Sequence, residues 1–547
     1  VKEFSISLSE YLTSGLRKSK RNVRELTRRG SMRNQPGLVR AFNVQVSERG
    51  LEPYRPIIIP FTQQTLNGAG ISLDWPFPQL MKGKKFTFLA IKQGIYLVNP
   101  ADYSLFPLDT TFRAENVTAA GRMIRGNQWQ LIDFHDTWSM HNGITTIFHP
   151  GRDAILRGDT DKIYTSDTVR VQAGCAFRGR SWMGGFDSSY FYQSDWKTFI
   201  QDLADNTTSD IRTTLDSLGE NFIWWSTIGG GDVFSLFYSS TDAEQGFITS
   251  KFSVDPDAEP GLPPNSRFWI FDLLRRNEQG SMPMPWQGKV RHMKPLGKHV
   301  MVYGDGGVSA LTSNDKRVGL IELQQFKQGI SNTGAVGGDE NEQIFLDGSG
   351  VLWYIDSNLS VEKLDYREYM EGLLGTDVII SYSSRERRFY ICNGVQAFTL
   401  TKGGRLTEHS QQVTSVIESD GADLGMGEDE SAMSNAWEVV TDTIDFQERG
   451  HKTLSFIEIA SEVPKDTVGK NPRLQVGCDF RYQGRHDFTA SRNIPVNHFG
   501  QARMGITAPD LRVRVLGDNF RDFNLDDIVV KIQMSDKRFT RGRRLTA

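Results

Sequence analysis

Arg388-Phe389-Tyr390-Ile391-Cys392, Asn393-Gly394, Val395-Gln396-Ala397-Phe398-Thr399-Leu400 is the stretch that decides the fold. Two runs rich in β-branched and aromatic residues flank an Asn-Gly pair, the strongest short-range hairpin signal, because that pair tolerates the left-handed backbone a tight turn needs. The theme repeats in both directions along the chain. Phe86-Thr87-Phe88-Leu89-Ala90-Ile91 and Ile95-Tyr96-Leu97-Val98 are joined by Lys92-Gln93-Gly94. Runs at 181–186, 232–238, 299–303 with 308–311, and 351–355 with the turn Asp356-Ser357-Asn358 read the same way.

Successive units recur at irregular spacing near the length of a propeller blade, without a fixed signature dipeptide. The expected fold is therefore mainly β, with a degenerate β-propeller-like domain over 84–415. A sandwich or a pair of barrels built from the same hairpins is the competing arrangement. One helical insertion is expected at about 195–218, where Trp196, Phe199, Ile200, Leu203, Ile211, Leu215 and Leu218 recur at helical spacing. Residues 1–83 read as an extended basic arm, because Pro53, Pro56, Pro60, Pro76 and Pro78 forbid long helices and central strands. An acidic flexible loop is expected at 416–436, a C-terminal β-sandwich-like module at 437–536, and a basic tail at 537–547.

Composition supports this reading: 38% apolar, 24% charged and 52 glycines among 547 residues fit a folded chain rich in turns. The formal charge of -3 excludes a globally basic nucleic-acid binder, yet it hides a polarity along the chain. Arg17, Lys18, Lys20, Arg21, Arg24, Arg28 and Arg29 make the opening cationic, and the end after Lys537 is cationic too. These residues could hold phosphates by counterion release or dock on acidic neighbours in an assembly. Few aromatics interleave with them, so any nucleic-acid contact would be unspecific. Glu418, Asp420, Asp423, Glu428, Asp429 and Glu430 form an acidic cluster between the two ends.

Three widely separated cysteines, Cys175, Cys392 and Cys478, indicate neither a disulfide framework nor a zinc cage, which points to a reducing site of synthesis such as a cytoplasm. No long apolar run or signal-peptide layout is present, so no membrane span is expected. His135, Asp136, His141 and His149 cluster in sequence, but their spacing matches no zinc signature, and interface or surface histidines are the simpler reading. Gly83-Lys84, Gly288-Lys289 and Gly297-Lys298 lack the Ser or Thr of a phosphate-binding loop. No Gly-x-Ser-x-Gly elbow occurs, and the clustered acids lack the rigid packing that carboxylate catalysis requires. Neither catalysis nor a cofactor is expected.

The last module carries a resemblance. Leu474-Gln475-Val476-Gly477-Cys478-Asp479-Phe480-Arg481-Tyr482 leads into Gly484-Arg485-His486-Asp487-Phe488, followed by Ala502-Arg503-Met504-Gly505 and Leu511-Arg512-Val513-Arg514-Val515. With the order of arm, hairpin-rich sheets, acidic loop and terminal β module, this resembles the tail nozzle or tail-hub proteins of short-tailed bacteriophages, of the packaged-DNA stabilisation type. It departs from the usual pattern in having Tyr482-Gln483-Gly484 where an aspartate-glycine turn is common. The resemblance implies a structural virion protein in the tail, forming a homo-oligomeric ring, typically hexameric. Such a ring sits below portal and adaptor proteins, meets tail fibre or needle proteins, and touches genomic DNA transiently and without specificity. It would make the acidic cluster a channel or gate loop. The alternatives are a carbohydrate- or receptor-binding propeller and a glycan hydrolase on a propeller scaffold.

Overall fold

In the computed structural model the run at 388–400 forms the strands Arg388–Cys392 and Ala397–Thr401, with Cys392 facing Ala397. The connection is four residues long rather than two. The Asn393 carboxamide oxygen accepts from the backbone N–H of Val395 and Gln396 (3.0 and 2.7 Å), so the asparagine side chain, not an Asn-Gly turn alone, shapes it.

The structure describes residues 3–17, 25–26, 32–33, 37–107 apart from 72–73, 85 and 92–93, 129–149 apart from 135–136 and 144–145, 164–166, 171–185 and 220–226. It continues over 280–460 apart from 314–317, 324–325, 327, 402, 420, 430–435 and 445–450, and over 474–534 apart from 483–484, 486 and 518–523. The helical insertion expected at about 195–218, the run at 232–238 and the basic tail lie outside the described residues.

Six four-stranded antiparallel units follow one another, each built as a meander from sequential strands. Their first strands are Gln79–Lys82, Gln130–Phe134, Ala173–Phe177, Val290–Leu296, Val336–Gly338 and Ile379–Ser383. A seventh, shorter unit is the hairpin Val413–Ser419 with Ala422–Gly427. Val413–Ser419 lies beside both Ile379–Ser383 and Gln79–Lys82, so the seven first strands close a ring, and the arrangement is a β-propeller with seven blades among the described residues. Small residues let first strands approach: a Cβ on Gly174 would collide with the Ile132 side chain of the preceding blade. Apolar clusters lie between blades, such as Trp182, Trp225, Met293 and Val302 between the third and fourth.

The structure departs from two of the sequence expectations. Where the sequence suggests a flexible acidic loop at 416–436, the described part begins with the paired strands of the closing blade. The reason is the buried pair Leu424 and Met426, which interrupts the acids with core-facing residues. The arm over 1–83 is likewise bound into the rest of its own chain at several places, while Glu25–Leu26 and Met32–Arg33 pair with each other. Glu3–Ser7 pairs with Asp527–Met534, and Leu38–Phe42 lies between the outer strand of the sixth blade, Arg405–His409, and Trp437–Thr441 of the terminal module. Ile58 bridges Leu424 and adds an outer segment to the seventh blade. The first blade begins at Gln79, ahead of the expected boundary at 84.

The terminal module is a sandwich. One sheet runs Glu3–Ser7, Asp527–Met534, Lys452–Ala460, Gln501–Ala508. The other runs from Leu38–Phe42 through Trp437–Thr441, Asp510–Gly517 and Leu474–Arg481, and is continuous with the sixth blade as a ten-stranded sheet. Ile457, Ile528 and Val530 from the first sheet meet Val476, Val513 and Val515 from the second, all fully buried.

Candidate functional site

The antiparallel order places the turns after all first strands at one mouth of the propeller and the starts of those strands at the other. Just inside, neighbouring blades are tied by side chains. The Gln79 amide donates to the Trp129 carbonyl (3.0 Å) and accepts from the Trp129 N–H (3.2 Å). Gln130 reaches three places: its Nε2 donates to the Arg291 carbonyl at 3.1 Å and lies 3.0 Å from His292 Nδ1, while its Oε1 accepts from Gly174 N and Met293 N. Gln343 donates to the Pro295 carbonyl at 2.6 Å and accepts from the Tyr303 hydroxyl at 2.6 Å. Glu342 accepts from the Tyr382 hydroxyl of the sixth blade (2.6 Å) and the Tyr354 hydroxyl of its own blade (3.0 Å). Burial, with the Glu342 hydrogen bond behind it, pushes the Tyr354 phenol up to about 12. Ser383 donates to Asp423 across to the seventh blade (2.5 Å), and Leu80 N donates to Ser415 Oγ (2.8 Å) to complete the circuit.

The closing blade is held by Gln411, fully buried. Its Oε1 accepts from the Tyr54 hydroxyl (3.0 Å) and Ile57 N (2.9 Å), and its Nε2 donates to the carbonyls of Ile57 (3.2 Å) and Glu428 (3.1 Å). One amide thus satisfies the backbone of the N-terminal segment and of the segment leaving the hairpin, which an unmatched strand edge would leave bare.

The acidic cluster is therefore built into the joint between blades. Glu418 accepts from Ser384 Oγ at 3.1 Å, and its backbone carbonyl accepts from the Lys82 ammonium; Asp423 is held by Ser383. Glu428 N donates to the Gln412 carbonyl at 2.8 Å, and Asp429 follows it directly in the chain. Asp420 and Glu430 lie outside the described residues. A freely swinging gate does not fit Glu418, Asp423 and Glu428 placed in this way.

Of the basic opening, Arg17 is described and makes an ion pair with Asp442 at 2.9 Å within the same chain. Lys18, Lys20, Arg21, Arg24, Arg28 and Arg29 lie outside the described residues. Arg17 belongs to an ionic lattice on the outer face of the terminal module: Arg512 with Asp442 (3.4 Å), Arg481 with Asp510 (2.8 Å) and Arg514 with Asp479 (2.7 Å). Phe488 lies over this face, with the Arg512 guanidinium 3.7 Å and the Arg481 guanidinium 4.6 Å from its ring. Burial pulls the Arg512 guanidinium down and raises the Asp479 carboxyl, against the opposing pull of Arg514.

His141 is fully buried with Nε2 2.9 Å from Ser139 Oγ on the same strand, and burial takes its pKa down to about 3. That pair is sealed from solvent and packs the second blade. His135 and Asp136 lie outside the described residues. Among the described residues no group of three His, Cys, Asp or Glu could hold a metal ion, and no helix is long and apolar enough to cross a membrane. Cys175, Cys392 and Cys478 are all free and buried. Trp182, Trp224 and Trp225 are buried core residues, and Trp353 donates to Asp347 at 2.9 Å.

Sequence reasoning passes over the glutamines, because a search for chemistry looks at His, Cys and carboxylates. A signal is present: Gln79-Leu80-Met81-Lys82 and Gln130-Leu131-Ile132-Asp133 repeat a glutamine at the start of a first strand.

No family model matches the chain, and no curated protein does. Among solved structures it is similar to the Pan2 WD40 domain of Neurospora crassa, at 7% identity over 66% of this chain and 84% of that one, with a TM-score of 0.32. It is also similar to apo AztD of Citrobacter koseri, at 9% identity over 78% and 89%, TM-score 0.30. For Hsv2 of Kluyveromyces lactis the identity is 8% over 64% and 85%, TM-score 0.28. Likeness of this size carries no argument, and the propeller assignment rests on the strand order described above.

Proposed function

We propose that this chain works by binding and assembly, as a rigid β-propeller scaffold without bond chemistry of its own. The observation that carries the reading is the ten-stranded sheet that runs from the sixth blade through Leu38–Phe42 into the terminal module. Backbone hydrogen bonds, not a linker, join the two, so a load or partner on one is felt by the other. Asn43 reinforces the joint: its side chain donates to the Ala436 carbonyl (2.9 Å) and accepts from Ser410 N (2.9 Å).

The narrower form of the proposal is the tail nozzle of a short-tailed phage, resting on the resemblance of the terminal module. There the chain would form a homo-oligomeric, typically hexameric, ring that retains packaged DNA and conducts it on ejection. A carbohydrate- or receptor-binding propeller is the second reading, and the propeller itself favours it, since the turns that follow the blades' first strands gather at one mouth. The native mass of the purified chain, alone and mixed with a portal and adaptor complex, separates the two. A ring of several copies supports the nozzle. A persistent monomer that retains glycans or a receptor on a column supports the second reading, and turnover of a glycan overturns both.

A further inference from the structure

The segment Glu3–Arg17 sits on the terminal module as a bound ligand would. Glu3–Ser7 is an edge strand that pairs, among the described residues, with Asp527–Met534 alone, in the register Ser5 to Lys531. The Asp527 carboxylate accepts from Ser7 Oγ (2.8 Å) and Leu8 N (3.0 Å), fixing the end of the strand. Leu8, Leu12 and Leu16 are 0%, 0% and 2% exposed, three apolar plugs in one groove. Leu16 N donates to the Leu406 carbonyl at 2.8 Å, so the groove spans the sixth blade as well as the sandwich. Main-chain pairing of Glu3–Ser7 is the physics of strand donation, and the leucines, spaced four apart across the helix Ser9–Ser14, are the anchors of a helix laid against an apolar groove.

The connection to the rest of the chain is what makes this segment separable. Arg17 N donates to the Leu38 carbonyl (2.9 Å) and Leu38 N donates to the Gly15 carbonyl (2.8 Å), so the chain leaves and returns at one point. Between them lie residues 18–37, which hold the hairpin of Glu25–Leu26 with Met32–Arg33; with that hairpin kept, the stretches 18–24 and 34–37 outside it together reach about 36 Å when extended. A chain of this size has a radius of gyration of roughly 24 Å, so the segment reaches a second copy whose groove adjoins its own. The strand edge at Asp527–Met534 and the pockets for the three leucines are the same on every copy.

We propose that Glu3–Arg17 is an exchangeable strap, seated in the groove of a second copy of this chain when copies assemble. The inference rests on the assembly reading above and adds the element that locks neighbours together. Exchange costs little because the strap makes the same hydrogen bonds and fills the same pockets on either copy; only the route of the connection changes.

The test is a disulfide across the strand pair. Ser5→Cys and Lys531→Cys face each other at a spacing that antiparallel pairs and disulfides share, and the three native cysteines are buried and do not compete. Two differently tagged chains, one carrying only S5C and the other only K531C, are co-expressed, oxidised and run without reductant, with native mass measured in parallel. A covalent product carrying both tags, approaching about half of all chains for a random 1:1 mixture, is the expected result. As a control for a seated strap, the double variant in one chain closes on itself on dilution. Rings without any mixed product overturn the exchange and leave the assembly reading standing. A monomer without mixed product overturns both.

Discussion

Between its blades the propeller joins strands with amides and with the carboxylates Glu342 and Asp423 accepting from neutral hydroxyls, whereas the outer face of the terminal module does the same duty with ion pairs. Gln130, Gln343 and Gln411 bridge backbones where water is excluded, and Gln79 does so half-buried. Arg17, Arg481, Arg512 and Arg514 pair with Asp442, Asp479 and Asp510 where side chains keep 9–19% of their exposure. An amide supplies donor and acceptor together and brings no charge, so full desolvation costs little once both are met. A guanidinium needs residual water or a carboxylate, and keeps both here. Burial chooses the chemistry of a joint, and the two regions differ in sensitivity accordingly.

Removing a buried amide should do the most damage. Gln411→Ala leaves Ile57 N, the Ile57 carbonyl and the Glu428 carbonyl without the partner they have now. A loss of about 3–5 kcal/mol is expected from urea unfolding. Gln411→Glu should fare no better, since a carboxylate cannot donate to two carbonyls. A loss under about 1 kcal/mol in either variant would mean the closing blade is held by its apolar contacts alone.

Acid should part the two regions next. His141, His292 and His409 are all in the propeller, and burial takes each down to about 3. They are neutral in the fold and take up protons in the unfolded chain below its ordinary value of about 6.5, so their contribution is complete above that pH and declines as pH falls toward 3. By pH 5 the cost is about 2 kcal/mol for each. Asp479 in the module has the opposite sign: its carboxyl is raised in the fold, so protonation on acidification favours the folded state. Hydrogen exchange at pH 5 and 7 should therefore show protection falling over 413–427 before 474–517. His409→Phe, which keeps the stack on Tyr54 at 4.4 Å, should flatten the propeller's slope by about one proton.

Arg512→Lys sharpens the ionic side. Lysine keeps the charge near Asp442 but not the planar stack on Phe488. A loss of about 1–2 kcal/mol in thermal unfolding is expected, with greater salt sensitivity than any glutamine variant of the propeller.

Much of the fold is legible in local pattern, and the closure is not. Runs such as 299–303 with 308–311 alternate and turn as strands do, and they form His299–Gly304 and Val308–Ser313. Blade number is hidden because the first strands begin at 79, 130, 173, 290, 336, 379 and 413, with one interval more than twice any other. The seventh blade is hidden by composition: Glu418 and Asp423 read as solvated, while Ser383, Ser384 and Lys82, distant in sequence, hold that hairpin in place. Nothing local in Leu38–Phe42 tells that it pairs with residues some 370 and 400 positions away. The site residues are obscured for the same reason. Arg17 reads as an outward contact because its partner, Asp442, is remote.

The smallest expected effect tests the lattice at one atom. Gly477 lies opposite Arg514, whose guanidinium crosses above it to reach the Ser491 carbonyl (2.9 Å) and Asn493 Oδ1 (2.9 Å). A Cβ there would stand 2.9 Å from Arg514 Nη2 and 2.8 Å from Asn493 Oδ1, closer than side chains tolerate. Arginine is long and flexible, so Gly477→Ala should displace the head group rather than break the strand, losing hydrogen bonds but regaining the entropy a glycine gives up in a sheet. A net loss of about 1 kcal/mol is expected, and it should shrink in high salt, where the Arg514 to Asp479 pair contributes less. A loss that stays constant with salt would place the cost in the backbone and remove Arg514 from the reasons this position is glycine.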